Sequence, residues 1–430
     1  MNAPLLFLLG TFFLFIAIRV PVAFALGLSS LLTIVQLGLP FTSIVNQMFS
    51  GISSFPLLAV PFFLLLGRLM NDGGITDRLM KVSDAWVGHI KGGLGHVNVM
   101  VSMLFAGLSG SSSADTAGIG AMLIPAMKKA GFDTDFSVAI TAASSTLGGI
   151  IPPSILMVVY GAMGQLSIGA LFLTGIVPGI LIGIAQMVYT YCLARKRDYP
   201  SLPRKGYLER LRVTARALPP LSLPFIILGG VTLGYFTATE AAAVAVLIGL
   251  VLILLVYRHI GVRDLPAVFA DSMVGYAVPM FAVANASIFG WLIAYLNAPV
   301  MVANWILSMT SSYYGVYAMI VLFLLVVGTF LSPLTAVIIF LPILQRMGDS
   351  VGIHPLHLGI IVNLTLSLGL ITPPYGICLL IASQLGGIST PRAFLAILPM
   401  IFLTIGVIVL GILFPELFLF IPRFFMPSSV

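Results

Sequence analysis

Apolar residues fall in long runs separated by short polar or glycine-rich gaps, at about 3–18, 21–38, 57–70, 97–109, 115–127, 135–163, 168–194, 218–235, 237–257, 272–296, 313–331, 333–345, 356–384 and 391–415. A helix that crosses the hydrocarbon of a bilayer needs about 20 residues. Runs of about 13 to 15 residues ending in Gly, Ser or Pro therefore predict half-helices and re-entrant hairpins instead of full crossings. Between the runs, the stretch from Asp77 to Ile90 mixes charged and apolar positions, which predicts an amphipathic helix lying along the membrane surface.

Composition supports this pattern. The 430 residues are 60% hydrophobic and 8% charged, whereas a soluble domain carries about 25% charged residues, so a water-soluble fold is excluded. The chain has 43 Gly and 27 Pro. Such helix breakers are tolerated in a membrane where the broken backbone is shielded by protein or lines a cavity, so the balance favours a transporter over a simple anchor. No basic region precedes the first run and no small-residue cleavage site follows it, so the first helix is expected to be retained.

The net charge of +7 comes from basic residues in the gaps, where they set orientation and do not form a nucleic-acid surface. The most basic gap, Arg195 to Arg216, is expected in the cytoplasm. Counting crossings from it puts the amino terminus outside, the mouth of a first hairpin (97–127) inside and that of a second (313–345) outside. Two inverted halves are implied. The halves also share a sequence trace: "AGLSGSSSADTAG" then "STLGGIIPPSILMVVYG" in the first, "VVGTFLSPLTAV" then "LSLGLITPPYGICLLIAS" in the second. Gly107 to Gly148 is a spacing of 41 residues, repeated by Gly328 to Gly369, and each half is interrupted at a Pro pair, Pro152–Pro153 and Pro373–Pro374. Paired interrupted segments in corresponding positions mark a midplane transport site.

The expected fold is an all-α integral membrane protein with two re-entrant helical hairpins and two interrupted helices. Residues 1–56 form N-terminal scaffold helices and an arm. Residues 57–194 form the first repeat, with a hairpin at about 96–130 and a break at 148–154. A basic loop (195–216) and scaffold helices (217–271) lead to the second repeat at 272–415, with a hairpin at about 313–347 and a break at 369–376, and a C-terminal tail at 416–430.

At a tip or a break the peptide groups lose their helical partners, so helix ends present partial charges to the cavity. Carbonyl-bearing ends suit a hard cation such as sodium, and amide-bearing ends suit a carboxylate. Gly110 to Ser113 and Ser144 to Ser154 supply hydroxyls beside them in the first half; Thr329, Ser332, Thr335, Thr365, Ser367 and Thr372 do so in the second. The same small residues also serve close helix packing. Asp115 follows the first tip, at a depth where an ionisable group costs about 2.5–3.5 kcal/mol on insertion scales; it is either a functional group or a cap for the descending helix. Glu240 follows Thr237 by three residues and reads as a capping box.

Cys192 and Cys378 sit in apolar runs and read as small hydrophobes, not as a disulfide or a metal site. His354 and His357 share a turn without an acidic or Cys companion, which leaves metal binding weakly supported. No phosphate loop for ATP hydrolysis occurs, and no Ser, His and Asp constellation marks an intramembrane hydrolase. A membrane-embedded enzyme or a non-transporting assembly subunit is thus the rival class, and no cofactor is expected beyond coupling ions.

The stretches "GLSGSSSADTAGIGAMLIPAMKKAGF", "GGIIPPSILMVVYG", "TATEAAA" and "GLITPPYG" resemble the large membrane subunit of tripartite ATP-independent periplasmic (TRAP) transporters, and the likeness runs over nearly the whole chain. The resemblance implies an inverted-repeat elevator-type fold in a bacterial inner membrane, with the amino terminus periplasmic. It implies sodium-coupled symport of a small organic anion, carboxylate or sulfonate, and two partners: a small four-helix membrane subunit and a periplasmic substrate-binding protein. A stand-alone sodium/dicarboxylate carrier is the alternative within transport. Carried over by motif, one sodium site involves Ser109, Ser111, Gly148, Ile151 and Pro153, and its mirror involves Gly328, Gly369, Thr372 and Tyr375. Substrate is implied near Ser112, Asp115, Ser154, Thr335 and Pro373. The chain departs from the family's usual pattern at Ser332, Ser367 and Ala238, and no Arg occurs in either tip or break.

Overall fold

In the computed structural model, which describes residues 3–310 and 312–429, the described chain is helical throughout, joined by short turns. Met1, Asn2, Ser311 and Val430 lie outside the described residues, so the outermost ends of the predicted first and last segments do too. Three helices open the chain: α1 (Ala3–Ala17), α2 (Val22–Gln36) and α3 (Thr42–Ile52). A first series follows, α4 (Ala59–Asp72), α5 (Ile75–Val87), α6 (Gly93–Ser109), α7 (Ser112–Lys129), α8 (Thr134–Ser145), α9 (Ile155–Gly164) and α10 (Ile168–Arg197). Two helices, α11 (Tyr207–Thr232) and α12 (Ala238–Val251), then lead to a second series. That series is α13 (Leu265–Tyr295), α14 (Ala298–Met309), α15 (Tyr313–Gly328), α16 (Pro333–Ser350), α17 (Pro355–Gly369), α18 (Ile377–Gly386) and α19 (Thr390–Leu413), and α20 (Pro415–Phe425) ends the chain.

The two series repeat one order: two helices, a tight helical pair, a helix that stops at a Pro pair, a ten-residue helix and a long closing helix. The predicted hairpins are the pairs α6–α7 and α15–α16. The apolar runs 135–163 and 356–384, continuous by composition, are each divided at their Pro pair into α8 and α9, and α17 and α18. Proline supplies no N–H and restricts the residue before it, so a Pro pair favours a break; the chain is broken at Pro152–Pro153 and Pro373–Pro374, whereas α11 continues through Pro219–Pro220.

Two predicted segments change. The basic stretch 195–216 is not one loop, because α10 runs to Arg197 and α11 begins at Tyr207; good helix formers carry both helices into the polar gap. The remaining connector is tied down: Leu202 N–H donates to the Gly88 carbonyl at 2.8 Å, and Lys205 pairs with Asp84 at 2.7 Å. At its start Tyr199 donates to Asp133 at 2.6 Å beside Arg197, and these contacts hold the Asp133 carboxyl below its ordinary range. The predicted C-terminal tail is also structured. Phe418 and Leu419 of α20 are buried, and the helix packs on α10.

Packing interleaves the halves. The short helix α18 of the second series packs on α7 and α8 of the first, and α9 of the first packs on α16 and α17 of the second. Around them α13 crosses α2, α3, α4 and α16, and α12 lies along α4. Six helical segments among the described residues are long and apolar enough to cross a membrane.

The burial pattern suits lipid outside. Phe225 is 76% exposed and Phe402 67%, while Asn98, Ser102, Thr141, Ser144, Asn363 and Thr365 are all buried. These polar groups tie helices together: Asn98 donates to Thr141 Oγ1 at 2.7 Å, and the Ser102 and Ser144 hydroxyls lie 2.9 Å apart. Hydroxyls and amides that bond between helices are what hold a bundle whose exterior is as apolar as its solvent.

Helix starts follow the capping residues. Thr237 and Glu240 form the capping box expected of them, with Thr237 N–H donating to Glu240 at 2.8 Å and Glu240 N–H to Thr237 Oγ1 at 3.2 Å. Replacing Thr237 by Ala removes one of these bonds and should cost about 1 kcal/mol, read as a lower thermal unfolding midpoint of the purified protein, whereas Thr237→Ser should retain the midpoint.

Candidate functional site

Both hairpins end against the opposite break of their own half. In the first, α6 stops at Ser109, Gly110 turns the chain at φ +61°, and α7 starts after Ser111. The facing break runs from a single 3-10 turn, Thr146–Gly149, through the Pro pair to Ser154. The two are stitched together by Ile155 N–H donating to the Gly110 carbonyl at 3.3 Å and by Ser112 Oγ donating to the Thr146 carbonyl at 3.3 Å. In the second half Tyr375 N–H donates to the Thr329 carbonyl at 2.8 Å, the same kind of tip-to-break bond.

Glycine is required where these pieces touch. A β-carbon on Gly369 would lie 2.3 Å from the Gly328 carbonyl oxygen, and one on Gly148 would lie 2.3 Å from Asp115 Oδ2. Real β-carbons do not approach so closely, so Gly369 marks a close backbone approach to Gly328 and Gly148 a close approach of the Asp115 side chain, while Gly107 lies against Pro224.

A cavity of about 390 Å³ lies where the units meet. Its wall takes Ser111, Ser112 and Ser113 from the first tip, Gly149, Ile155 and Leu156 from the first break, Ser332 to Thr335 from the second tip, and Leu370, Tyr375 and Ile377 from the second break. Pro279 and Val283 of α13 and Val60 and Leu64 of α4 complete it. Four helix N-termini, those of α7, α9, α16 and α18, therefore converge on one space. Ser154 caps α9, accepting from Met157 N–H at 3.4 Å, and Ser332 caps α16, accepting from Thr335 N–H at 3.2 Å. The starts of α7 and α18 have no side-chain cap. No Asp, Glu, Lys, Arg or His is among the lining residues, so the field in the cavity is set by peptide dipoles. N-terminal ends are electropositive and favour an anion.

The residues singled out from the sequence fall into three groups. Ser111, Ser112, Thr335 and Tyr375 face the cavity. Ser109, Gly148, Gly328, Gly369 and Pro153 sit behind it at the tip-to-break contacts: Ser109 Oγ donates to Asp115 Oδ1, and a β-carbon on Gly110 would meet the Pro153 carbonyl oxygen at 2.8 Å. Ile151, Asp115, Ser154, Thr372 and Pro373 are outside the wall. A β-carbon on Gly179 would press on the Ile151 side chain, Ser154 Oγ donates to the Gly149 carbonyl at 2.6 Å, and Thr372 Oγ1 donates to the Leu368 carbonyl at 2.8 Å. Asp115 is fully buried, behind Ser112.

Asn363 is the residue that sequence reasoning missed. It is 1% exposed on α17, and its Nδ2 donates to the Gly149 carbonyl at 2.8 Å, so the second half caps the first half's break. The available signal was a carboxamide inside an apolar run, which is expensive in a membrane unless it has a partner.

Comparison with known proteins agrees with this architecture. The family model of the tripartite ATP-independent periplasmic transporter DctM component matches residues 9–417. The sialic acid TRAP transporter large permease protein SiaM of Vibrio cholerae is 38% identical over 409 residues, covering 94% of this chain and 95% of that protein. The isethionate TRAP transporter permease protein DctMQ of Oleidesulfovibrio alaskensis is 37% identical, with 98% of this chain and 66% of the longer relative covered. Among solved structures, the YdaH transporter of Alcanivorax borkumensis superposes with a TM-score of 0.63 at 14% identity, covering 87% of this chain and 88% of that one; this likeness concerns the fold alone.

The close approach at the second break gives a direct test. Gly369→Ala forces the Gly328 carbonyl aside and should destabilise by about 1–3 kcal/mol, whereas Gly406→Ala, with nothing within 4 Å of the added carbon, should be neutral or slightly stabilising. Thermal unfolding of the two variants in detergent checks the contrast.

Proposed function

The chain belongs to the family of large permease subunits of TRAP transporters, and we propose that it carries a small organic anion, carboxylate or sulfonate, inward across a bacterial inner membrane by sodium-coupled symport. The observation that carries this reading is the convergence of four helix N-termini on one neutral-walled cavity of about 390 Å³. An anion there is held by amides and hydroxyls. The carbonyl-bearing ends of α6 and α15, each closed against its own break, offer oxygen donors for sodium, through the Ser109, Ser111, Gly148, Ile151 and Pro153 region in the first half and the Gly328, Gly369, Thr372 and Tyr375 region in the second. At least two sodium ions per monovalent anion would carry net positive charge inward, which contributes about 2.3 kcal/mol per charge per 100 mV.

The repeated helix order supports an inverted-repeat, elevator-type cycle, in which the two re-entrant hairpins and broken helices move as a body against α1–α4 and α11–α14. Relatives named as sialic acid and isethionate permeases support the anion class without choosing within it. The proposed partners are the small four-helix subunit and a periplasmic binding protein, and the extra length of the isethionate relative is consistent with a further membrane part joined to the large permease.

Reconstitution tests the reading. Proteoliposomes holding this chain and its small subunit, supplied with the binding protein, should take up substrate only with an inward sodium gradient; uptake that is unchanged when sodium is replaced by potassium would refute the coupling. Uptake that persists without the binding protein would identify a stand-alone carrier instead. Ser111→Leu, which fills the cavity wall, and Gly148→Leu, which displaces Asp115, should each reduce sodium-dependent uptake at least about a hundredfold while membrane insertion is retained.

A further inference from the structure

The two tip-to-break units are alike in backbone and unlike in charge. The missing side chain of Gly369 leaves room for a peptide carbonyl oxygen, that of Gly328, and the missing side chain of Gly148 leaves room for a carboxylate oxygen, Asp115 Oδ2, at the same 2.3 Å from the position of a β-carbon. In each half a glycine thus yields its place to an oxygen donor. The register that aligns Gly107 with Gly328 and Pro152 with Pro373 puts Ala336 where the first half has Asp115. Ala336 is also fully buried, so the second half has no acid at that place.

Asp115 has too few partners for a buried ion. It is 0% exposed, Oδ1 accepts from Ser109 Oγ, and Oδ2 has no hydrogen-bond partner. None of the ion pairs among the described residues includes it. Nor does it cap α7: the cap position is Ser111, four residues ahead of Asp115, and the Asp115 side chain bonds a hydroxyl from α6, not an amide of its own helix. A carboxylate removed from water needs a counter-charge, and here a free oxygen points at the break whose carbonyls suit a hard cation.

We infer that Asp115 is the anionic ligand of the first-half sodium site, through Oδ2, and that it makes the two sodium sites unequal: the first fills at lower sodium concentration than the second, which is built from neutral oxygens alone. This assignment rests on the sodium-coupled reading above. It also moves Asp115 from the anion to the cation, as its place behind the cavity wall requires, since a carboxylate in the wall would repel the cargo.

The experiment is a sodium titration, at constant ionic strength against potassium, of the thermal unfolding of the complex with its small subunit, paired with the sodium dependence of uptake. Wild type should show a sodium-induced rise in midpoint. In Asp115→Asn the half-saturating sodium concentration should increase about tenfold or more, while the midpoint in potassium stays level or rises, because an uncompensated buried charge has been removed. Ser109→Ala keeps the carboxylate and should raise the sodium requirement about two- to fivefold. An unchanged sodium curve in Asp115→Asn, or an equal loss of stability in both salts, would overturn the assignment, the second outcome marking a structural role. Should Asp115→Asn not accumulate, an unchanged curve in Ser109→Ala overturns it. A wild-type complex indifferent to sodium in both readouts would instead overturn the coupling and this assignment with it.

Discussion

A peptide group without a hydrogen-bond partner cannot face hydrocarbon, and the rest of this structure follows from how the chain meets that rule while still breaking two helices inside the bundle. Each break exposes carbonyls and amides that an unbroken helix would have paired. In each half a carbonyl at the hairpin tip accepts from an amide of the break, Gly110 from Ile155 and Thr329 from Tyr375, and the Gly149 carbonyl accepts both from Ser154 of its own half and from Asn363 of the other. The breaks are therefore shielded by protein on all sides but one, and the open side is the cavity. Asn363 adds a bond from the second half to a first-half break, in keeping with the interleaving of α9 and α18 with the opposite hairpins.

The same rule bears on the movement proposed above. Within the body the apolar core is joined by hydrogen bonds between buried polar groups, as between α6 and α8 through Asn98 with Thr141 and Ser102 with Ser144. Where the second hairpin faces α1, α13 and α14, the surfaces are apolar instead: Phe12, Phe289 and Ile293 on one side, Phe340 and Ile343 on the other, around a cleft of about 710 Å³. Sliding one apolar surface over another breaks no hydrogen bond, so a body moving as proposed would meet its lowest resistance along this face.

Much of this was legible in the chain because the membrane turns covalent constraints into architecture. Pro152–Pro153 and Pro373–Pro374 each sit beside a glycine-rich stretch and mark a break, although Pro219–Pro220 lies inside α11 and shows that a Pro pair alone is not sufficient; the matched glycines Gly148 and Gly369 mark close approaches. Thr237 and Glu240 announced a helix start by their spacing alone. What depended on tertiary neighbours was not legible. Asn363 looked like one polar residue in an apolar run, and its target, the Gly149 carbonyl, lies in the other half. Asp115 is visible in the sequence as a costly buried ion, but the groups it faces, Ser109 and the space beside Gly148, are set by the fold of the tip against the break. The C-terminal stretch is short and mixed in character; its helix packs on α10, and Phe418 is buried beside Gly411 of α19 and His357 of α17.

A cavity polarised by helix ends has consequences for what it can distinguish. A guanidinium clamp selects a planar pair of oxygens at fixed separation, whereas the N-termini of α7, α9, α16 and α18 offer a diffuse positive field with hydroxyls at its edge. Such a field favours negative charge of many shapes, planar carboxylate and tetrahedral sulfonate alike, and discriminates among them only weakly by size. Choice of cargo then has to be made before the anion reaches the cavity, at a surface with directional contacts, and the proposed soluble partner is where such contacts can be placed. The neutral wall also eases release: with no buried cation to be left unpaired when the anion departs, the cost of emptying the site is the loss of dipole contacts that water can replace. An anion held in this way is easily delivered and easily surrendered, so that, with the coupling proposed above, the direction of transport would be left to sodium.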